Sequence, residues 1–166
     1  MNTMMMSRVY LSIAALILTA VLVVPAAAQN QVPFKGSFQG QEIDTPQGGP
    51  PPTTLNAAGS TTGIATLVGQ MSFTYQLTVT LANSTATGSG HLIAANGDSV
   101  YTTITGSSND TISGFASITE IDTIIGGTGR FARAQGSFTV ERLVNLATGF
   151  TSGSFHGTIT SPGAAH

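Results

Sequence analysis

Alternation of apolar and polar residues runs through most of the chain and predicts β-strands. It is clearest from Ser72 to Leu81, where aromatic and aliphatic residues alternate with Ser, Thr and Gln. The apolar set is Phe73, Tyr75, Leu77, Val79 and Leu81. A period of two places this set on one face of a strand, and that face is predicted to be buried. No stretch beyond residue 28 has the spacing of an amphipathic helix.

Two hairpins are predicted further along the chain. Asn96-Gly97-Asp98 separates β-like residues 91–95 from residues 99–105. Asn-Gly between two such runs favours a tight turn, because both residues accept positive φ. Residues 136–144 and 150–160 are predicted to form the second hairpin.

Two segments have a weaker pattern. Residues 111–125 are interpreted as one long strand or a bent pair, with Gly114 marking a bulge. Residues 44–59 contain Gly48-Gly49-Pro50-Pro51-Pro52 and are predicted to be an irregular surface loop.

A short repeat links the two ends of the domain. Gly36-Ser37-Phe38-Gln39-Gly40 opens it, and Gly153-Ser154-Phe155-His156-Gly157 closes it. Pairing of the first and last strands would close a barrel and remove both sheet edges. We therefore expect residues 29–166 to form one all-β domain, an antiparallel barrel of about eight strands, with a β-sandwich as the alternative.

The N-terminus has the three parts of a secretory signal peptide. Arg8 supplies the positive charge, residues 9–24 are apolar, and Ala26-Ala27-Ala28 provides small residues at a cleavage site. We expect cleavage after Ala28 and a secreted or periplasmic protein that no longer contacts the membrane. A transmembrane anchor is the competing interpretation, but the apolar run is shorter than the ~20 residues that a spanning helix needs.

Charge is sparse in this chain. Only 7% of its 166 residues are charged, against roughly a quarter in ordinary domains. Beyond the leader, the strong cations are Lys35, Arg130, Arg133 and Arg142. So few cations cannot neutralise a row of phosphates, which argues against a nucleic-acid partner. There is no cysteine, and so no disulfide or thiolate site.

Five short motifs occur in order along the chain, at residues 63–69, 94–98, 126–132, 146–149 and 153–159. Together they resemble a group of uncharacterised exported bacterial proteins that look related to allene oxide cyclase-like barrels, the superfamily that includes plant dirigent proteins. Gly126-Gly127-Thr128-Gly129 is the most specific, since dirigent proteins carry a similar turn before a strand containing Ala-Arg-Gly. Here that strand reads Ala132-Arg133-Ala134-Gln135-Gly136.

This resemblance implies an eight-stranded antiparallel barrel with a central cavity, often trimeric. It transfers no chemistry, because no catalytic residue of the cyclases aligns with a position of this chain.

Glu120 and Asp122 are the first candidates for chemistry. They are two residues apart on one predicted strand and share a face with Ile118 and Ile124. Carboxylates among apolar neighbours have shifted pKa values and can transfer protons. An exposed acidic stripe, or a pairing with Arg130 or Arg142, is the more common arrangement of such residues. Arg130 is the third catalytic candidate.

The glycine-rich segment favours a structural role. Gly127 to Ala132 fits a dinucleotide-binding pattern, but no helix follows to hold a pyrophosphate. Gly126, Gly127 and Gly129 are interpreted as turn residues, like Asn96 and Gly97. His91 and His156 lack a third metal ligand at a suitable spacing. No cofactor or metal is expected.

These observations leave three functional hypotheses. The first is a small-molecule carrier or dirigent-like scaffold that binds an apolar or aromatic ligand. Its lumen would be lined by Phe73, Tyr75, Tyr101 and Phe155. The second is an isomerase or cyclase of the allene oxide type, and the third is a structural surface protein. A homotrimer or homodimer is compatible with each.

Overall fold

The computed structural model describes residues 30–160, apart from the side chain of Asp110. The predicted signal peptide and its cleavage site after Ala28 lie outside the described residues. Within residues 30–160, no helix is long and apolar enough to cross a membrane.

Eight antiparallel strands form a closed barrel. They are β1 (Gln31–Gln47), β2 (Thr54–Ala65), β3 (Gly69–Thr80), β4 (Thr85–Ala94), β5 (Ser99–Ile112), β6 (Phe115–Gly127), β7 (Gly136–Asn145) and β8 (Phe150–Thr160). Each strand pairs with its sequence neighbour, and β1 pairs with β8. The predicted single antiparallel barrel is confirmed, and the β-sandwich alternative is wrong.

The seam between β1 and β8 is made by the two similar end segments. Gly36 lies opposite Phe155, and Phe38 lies opposite Gly153. Each phenylalanine therefore faces a glycine on the other strand, and a Cβ at position 36 would overlap the ring of Phe155. The pairing expected from the repeat is confirmed.

The predicted loop at residues 44–59 is wrong in extent. Strand β1 continues to Gln47 and β2 begins at Thr54, so only residues 48–53 connect them. The alternation of Ala57, Gly59 and Thr61 toward the interior explains why β2 begins so early. Polar and small residues conceal this pattern in the sequence.

Residues 111–125 form parts of two strands, and the bulge assigned to Gly114 is wrong. Ser113 and Gly114 form a two-residue turn between β5 and β6, with φ values of 52° and 82°. Positive φ at both positions matches the right-handed twist of a hairpin, and glycine adopts it without steric cost.

The two predicted glycine turns lie at the same end of the barrel. Asn96 and Gly97 connect β4 to β5, with Gly97 at a φ of 86°. Gly126 and Gly127 end β6, and Gly129 begins a three-residue 3₁₀ helix (Gly129–Phe131). This helix carries Phe131, which is fully buried, into the end of the barrel.

The barrel interior has two parts. We call the part at the Phe131 end the closed half, because side chains pack it densely. Its core contains Phe34, Val68, Met71, Leu92, Val100, Ile124, Phe131, Phe138, Phe155 and Ile159. The opposite part, which we call the open half, has a smaller core of Ala57, Tyr75, Leu77, Ala86 and Ile104.

Replacing Phe34 with alanine should lower the free energy of unfolding by about 3–5 kcal/mol. Phe34 is fully buried, and its ring centroid lies 5.4 Å from that of Phe138 and 5.1 Å from that of Phe155. The change would leave a cavity beside the seam of the barrel. Phe150→Ala is the matched control, because Phe150 is 40% exposed, and its cost should stay below about 1 kcal/mol. Urea denaturation measures both, and equal losses would contradict the packing described here.

Candidate functional site

A buried ionic cluster crosses the interior where the two halves meet. Arg142 lies on the inner face of β7, between the buried residues Val140 and Val144. Its Nε and Nη2 donate to the two carboxylate oxygens of Glu120, at 3.1 and 2.9 Å. Its Nη1 donates to Glu42 Oε2 at 2.8 Å. We call Glu42, Glu120 and Arg142 the floor cluster.

The floor cluster connects strands that are not neighbours. Glu42 belongs to β1 and Arg142 to β7, and β8 lies between them. Arg142 Nη1 also lies 3.4 Å from the hydroxyl of Thr151 on β8, to which it donates. A planar guanidinium presents donors in a fixed fork, so it can satisfy acceptors on β1, β6 and β8 together.

Tyr75 contacts two members of the floor cluster. Its hydroxyl donates to Glu42 Oε2 at 2.7 Å, and the Arg142 guanidinium carbon lies 5.0 Å from the centre of its ring. Gly59 on β2 makes room for that ring, because a Cβ at position 59 would overlap it. A glycine in the adjacent strand therefore allows the tyrosine to reach the carboxylate.

Asp122 forms a second buried acidic position, on the side of Glu120 nearer the closed half. It is 1% exposed, and its Oδ2 accepts a hydrogen bond of 3.0 Å from the Thr102 hydroxyl. Its Oδ1 is buried without a hydrogen-bond partner among residues 30–160. Burial, reinforced by the negative charge of Glu120, raises the pKa of Asp122 to about 8.

The pKa values of the neighbouring groups are shifted too. Burial raises the pKa of Tyr75, so its hydroxyl remains a donor. Burial acts to lower the pKa of Arg142, but hydrogen bonds and attraction from Glu120 outweigh it, and the pKa lies above its ordinary value. At the rim, desolvation and the charge of Glu42 raise the pKa of Asp44.

The open half contains a pocket of about 220 Å³ above the floor cluster. Its walls are aliphatic, and its rim carries hydroxyl groups and Asp44. The walls comprise Leu55, Ala57, Leu77, Val79, Ala86, Ala116, Ile118 and Val144, and the rim includes Ser84, Ser107, Ser108 and Thr111. The pocket therefore combines apolar sides with a charged base, as small-molecule sites commonly do.

The structure places Glu120 and Asp122 inside the barrel. Both are buried, with exposed fractions of 5% and 1%, and they share the inner face of β6 with Ile124. The interpretation as an exposed acidic stripe is therefore wrong. The alternative, a pairing with Arg142, is observed for Glu120. Only Glu120 lines the pocket, because Asp122 lies deeper.

The placement of Arg130 beside these carboxylates is wrong. Its side chain is 39% exposed and lies on the 3₁₀ helix at the closed end, where it pairs with Asp98 at 3.2 Å. The short helix directs this side chain along the surface. Arg142 occupies the interior position instead.

The four aromatic residues predicted to line a lumen separate into different environments. Tyr75 and Phe155 point inward, but Phe155 is packed in the closed half and Phe73 contacts both cores. Tyr101 is 39% exposed and stacks on His91 outside the barrel, so its placement in the lumen is wrong. Its strand neighbours Val100 and Thr102 take the inward positions, which directs Tyr101 outward.

Sequence reasoning missed Glu42 as a site residue and left the orientation of Arg142 open. Arg142 alternates with Val140 and Val144, and this spacing is a signal that it shares their inward face. Glu42 had no such signal, because its same-face neighbours Gly40 and Asp44 are not apolar, and the apolar residue beside it, Ile43, lies on the opposite face.

The two candidate histidines lie away from the pocket. His91 is on β4, where its Nε2 lies within hydrogen-bonding distance of Ser99 Oγ, at 3.0 Å. His156 is exposed on the outer face of β8. No group of three His, Cys, Asp or Glu residues with metal-binding geometry occurs in the described part of the chain.

Comparison with protein-family models and with curated proteins finds no match to this chain. The chemistry of the site is therefore argued from its own residues.

Asp122→Asn should flatten the dependence of stability on pH. The native state keeps the Asp122 proton up to about pH 8, whereas the unfolded chain loses it near the ordinary value of 3.8. Between these values the native state binds more protons, so the free energy of unfolding falls as pH rises, by at most about 6 kcal/mol. Asparagine is neutral throughout and removes this contribution.

Denaturation of the wild type and of Asp122→Asn at several pH values between 4 and 9 provides the measurement. Glu141→Gln is the control, because Glu141 is exposed on the outer face of β7. An Asp122→Asn slope equal to that of the wild type would show that Asp122 is ionised in the native protein.

Arg142→Met should lower the free energy of unfolding by about 3–5 kcal/mol, because it leaves two buried carboxylates without their cation. The triple variant Arg142→Met, Glu42→Gln, Glu120→Gln should recover much of this loss. Arg130→Met is the surface control, expected to cost less than about 1 kcal/mol. Equal losses in the single and triple variants, measured by urea denaturation, would argue against a cluster held by charge balance.

Proposed function

We propose that this protein is an exported barrel that binds a small, mainly apolar molecule in the open half. The observation that carries this proposal is the pocket of about 220 Å³, with aliphatic walls that end on the floor cluster. An apolar cavity of about 150 Å³ is sufficient for benzene, so this pocket has the volume for a single ring with a short substituent.

The closed half and the floor cluster have different roles in this proposal. The packed closed half supports a rigid frame, and the ionic floor cluster fixes the depth to which a ligand enters. Export follows from the predicted signal peptide, and a trimer or dimer remains part of the proposal through the dirigent-like resemblance.

An isomerase or cyclase is the second candidate. The presence of Glu120 and Arg142 at the base of the pocket favours it, since both would contact a bound molecule. However, both oxygens of Glu120 accept hydrogen bonds from Arg142, so protonation of Glu120 would remove the negative charge that pairs with the buried guanidinium. We therefore place binding ahead of catalysis.

Native mass spectrometry of the protein isolated from the exported fraction of cells that express the full chain tests this proposal. We expect a chain that begins at Gln29, carrying an added small-molecule mass that denaturation removes. The same spectrum gives the number of subunits. A chain without any added mass, which also fails to bind ethylbenzene, would overturn the binding proposal.

A pair of variants locates the ligand. Ala57 lines the pocket, and the next residue, Ala58, is exposed on the outer face of the same strand. Ala57→Leu should reduce ligand occupancy about tenfold by filling part of the pocket, whereas Ala58→Leu should leave occupancy unchanged. Equal occupancy in the two variants would place the ligand elsewhere.

A further inference from the structure

The charges that face the pocket are unbalanced. The floor cluster contains two carboxylates and one guanidinium, and the carboxylate of Asp44 stands at the rim. Arg142 is the only cation among the residues that line this pocket within the described chain. Lys35, Arg130 and Arg133 lie near the start of β1 and in the β6–β7 connection, at the opposite end of the barrel. The open end therefore has a negative potential.

Most N–H donors of Arg142 are already used within the protein. Its Nε and Nη2 hold Glu120, and its Nη1 holds Glu42 and Thr151. Four of its five N–H donors are therefore used, and an anionic ligand that took two of them would displace one of these partners and leave a buried carboxylate without a cation. Such a displacement is costly in a pocket of low polarity.

One carboxylate oxygen of Glu42 is available to accept a hydrogen bond from a ligand. The Tyr75 hydroxyl and Arg142 Nη1 both donate to its Oε2. Both side-chain hydrogen bonds of Glu42 within residues 30–160 fall on this one oxygen, which leaves Oε1 as an acceptor, and Glu42 lines the pocket. The unused hydrogen-bonding capacity at the base of the pocket therefore includes a carboxylate oxygen, which requires a donor.

We propose that the pocket binds an organic monocation, a protonated amine on a single-ring or similarly small hydrocarbon body. This inference rests on the proposed binding function. The ammonium group would donate to Glu42 Oε1 and balance the excess negative charge of the floor cluster. The hydrocarbon body would lie against aliphatic walls that include Leu55, Leu77 and Val144.

Four probes with one ring and different ends test the proposal at near-neutral pH. They are 2-phenylethylamine, 2-phenylethanol, ethylbenzene and phenylacetate, and their affinities are measured by calorimetry or NMR titration. We expect the amine to bind about tenfold more tightly than the alcohol, because a charge-assisted hydrogen bond is stronger than a neutral one. Phenylacetate should bind most weakly.

The outcomes separate this inference from the function on which it rests. Binding of ethylbenzene and the alcohol, with the amine no tighter than either, would overturn the monocation proposal and leave the pocket as a binding site. Phenylacetate as the tightest probe would overturn it as well. Failure of all four probes to bind would overturn both proposals.

Glu42→Gln tests the residue directly. It keeps the shape of the side chain and removes the charge, so the affinity for the amine should fall about tenfold relative to the affinity for ethylbenzene. Glu141→Gln makes the same charge change on the exposed face of β7 and should alter neither. If Glu42→Gln fails to fold, Asp44→Asn at the rim provides the second variant, with an expected loss of a few-fold for the amine alone. Unchanged amine binding in a folded Glu42→Gln protein would overturn the assignment.

Discussion

The interaction on which the interior depends is the contact of one guanidinium with two carboxylates. A buried charge is tolerated only where partners satisfy it, and removal from water is costly even then. Arg142 meets this requirement with a bidentate contact to Glu120 and a single contact to Glu42. The three side chains come from β6, β7 and β1, so the cluster also fixes the relative positions of strands on both sides of β8.

The floor cluster also explains why the barrel has two unlike halves. Aromatic rings fill the closed half, where Phe34, Phe138 and Phe155 have centroids about 5 Å apart. This packing ends where the polar groups begin. The ring of Tyr75 lies against Arg142 there, and its hydroxyl donates to Glu42, a hydrogen bond that a phenylalanine could not make. The open half then has small and aliphatic side chains around a space, and the space becomes the pocket.

The strands and the closure of the barrel were largely predictable from sequence. Alternation identified β3, Asn96-Gly97 identified a hairpin, and the similar end segments identified the β1–β8 seam. The errors occurred where strands consist mainly of Gly, Ala, Ser and Thr, as in β2. These residues differ little in hydrophobicity, so inward and outward positions cannot be told apart in the sequence. The Ser113-Gly114 turn was missed because β-like residues precede and follow it directly, so residues 111–125 resembled one continuous strand.

The site was less predictable than the fold, for a geometric reason. A period of two shows that Glu120 and Asp122 share a face, but the period alone does not say whether that face is inside. Neighbouring isoleucines suggested the interior, whereas the base rate for carboxylates suggested the surface. Glu42 meets Arg142 across an intervening strand and 100 positions of sequence, and no local pattern encodes such a contact.

The distribution of charge gives the strongest argument that the interior has a function. Of the seven acidic residues in the chain, Glu42, Glu120 and Asp122 are buried. A protein with so few charges would gain solubility by exposing all of them, and a hydrophobic replacement of a buried ion pair often stabilises a fold. Buried carboxylates that persist in spite of this cost, with one of them carrying a strongly raised pKa, are typical of sites that recognise or transform a ligand. In this barrel the walls would then set the size of the molecule that enters, while the floor cluster would select the polar group at its buried end.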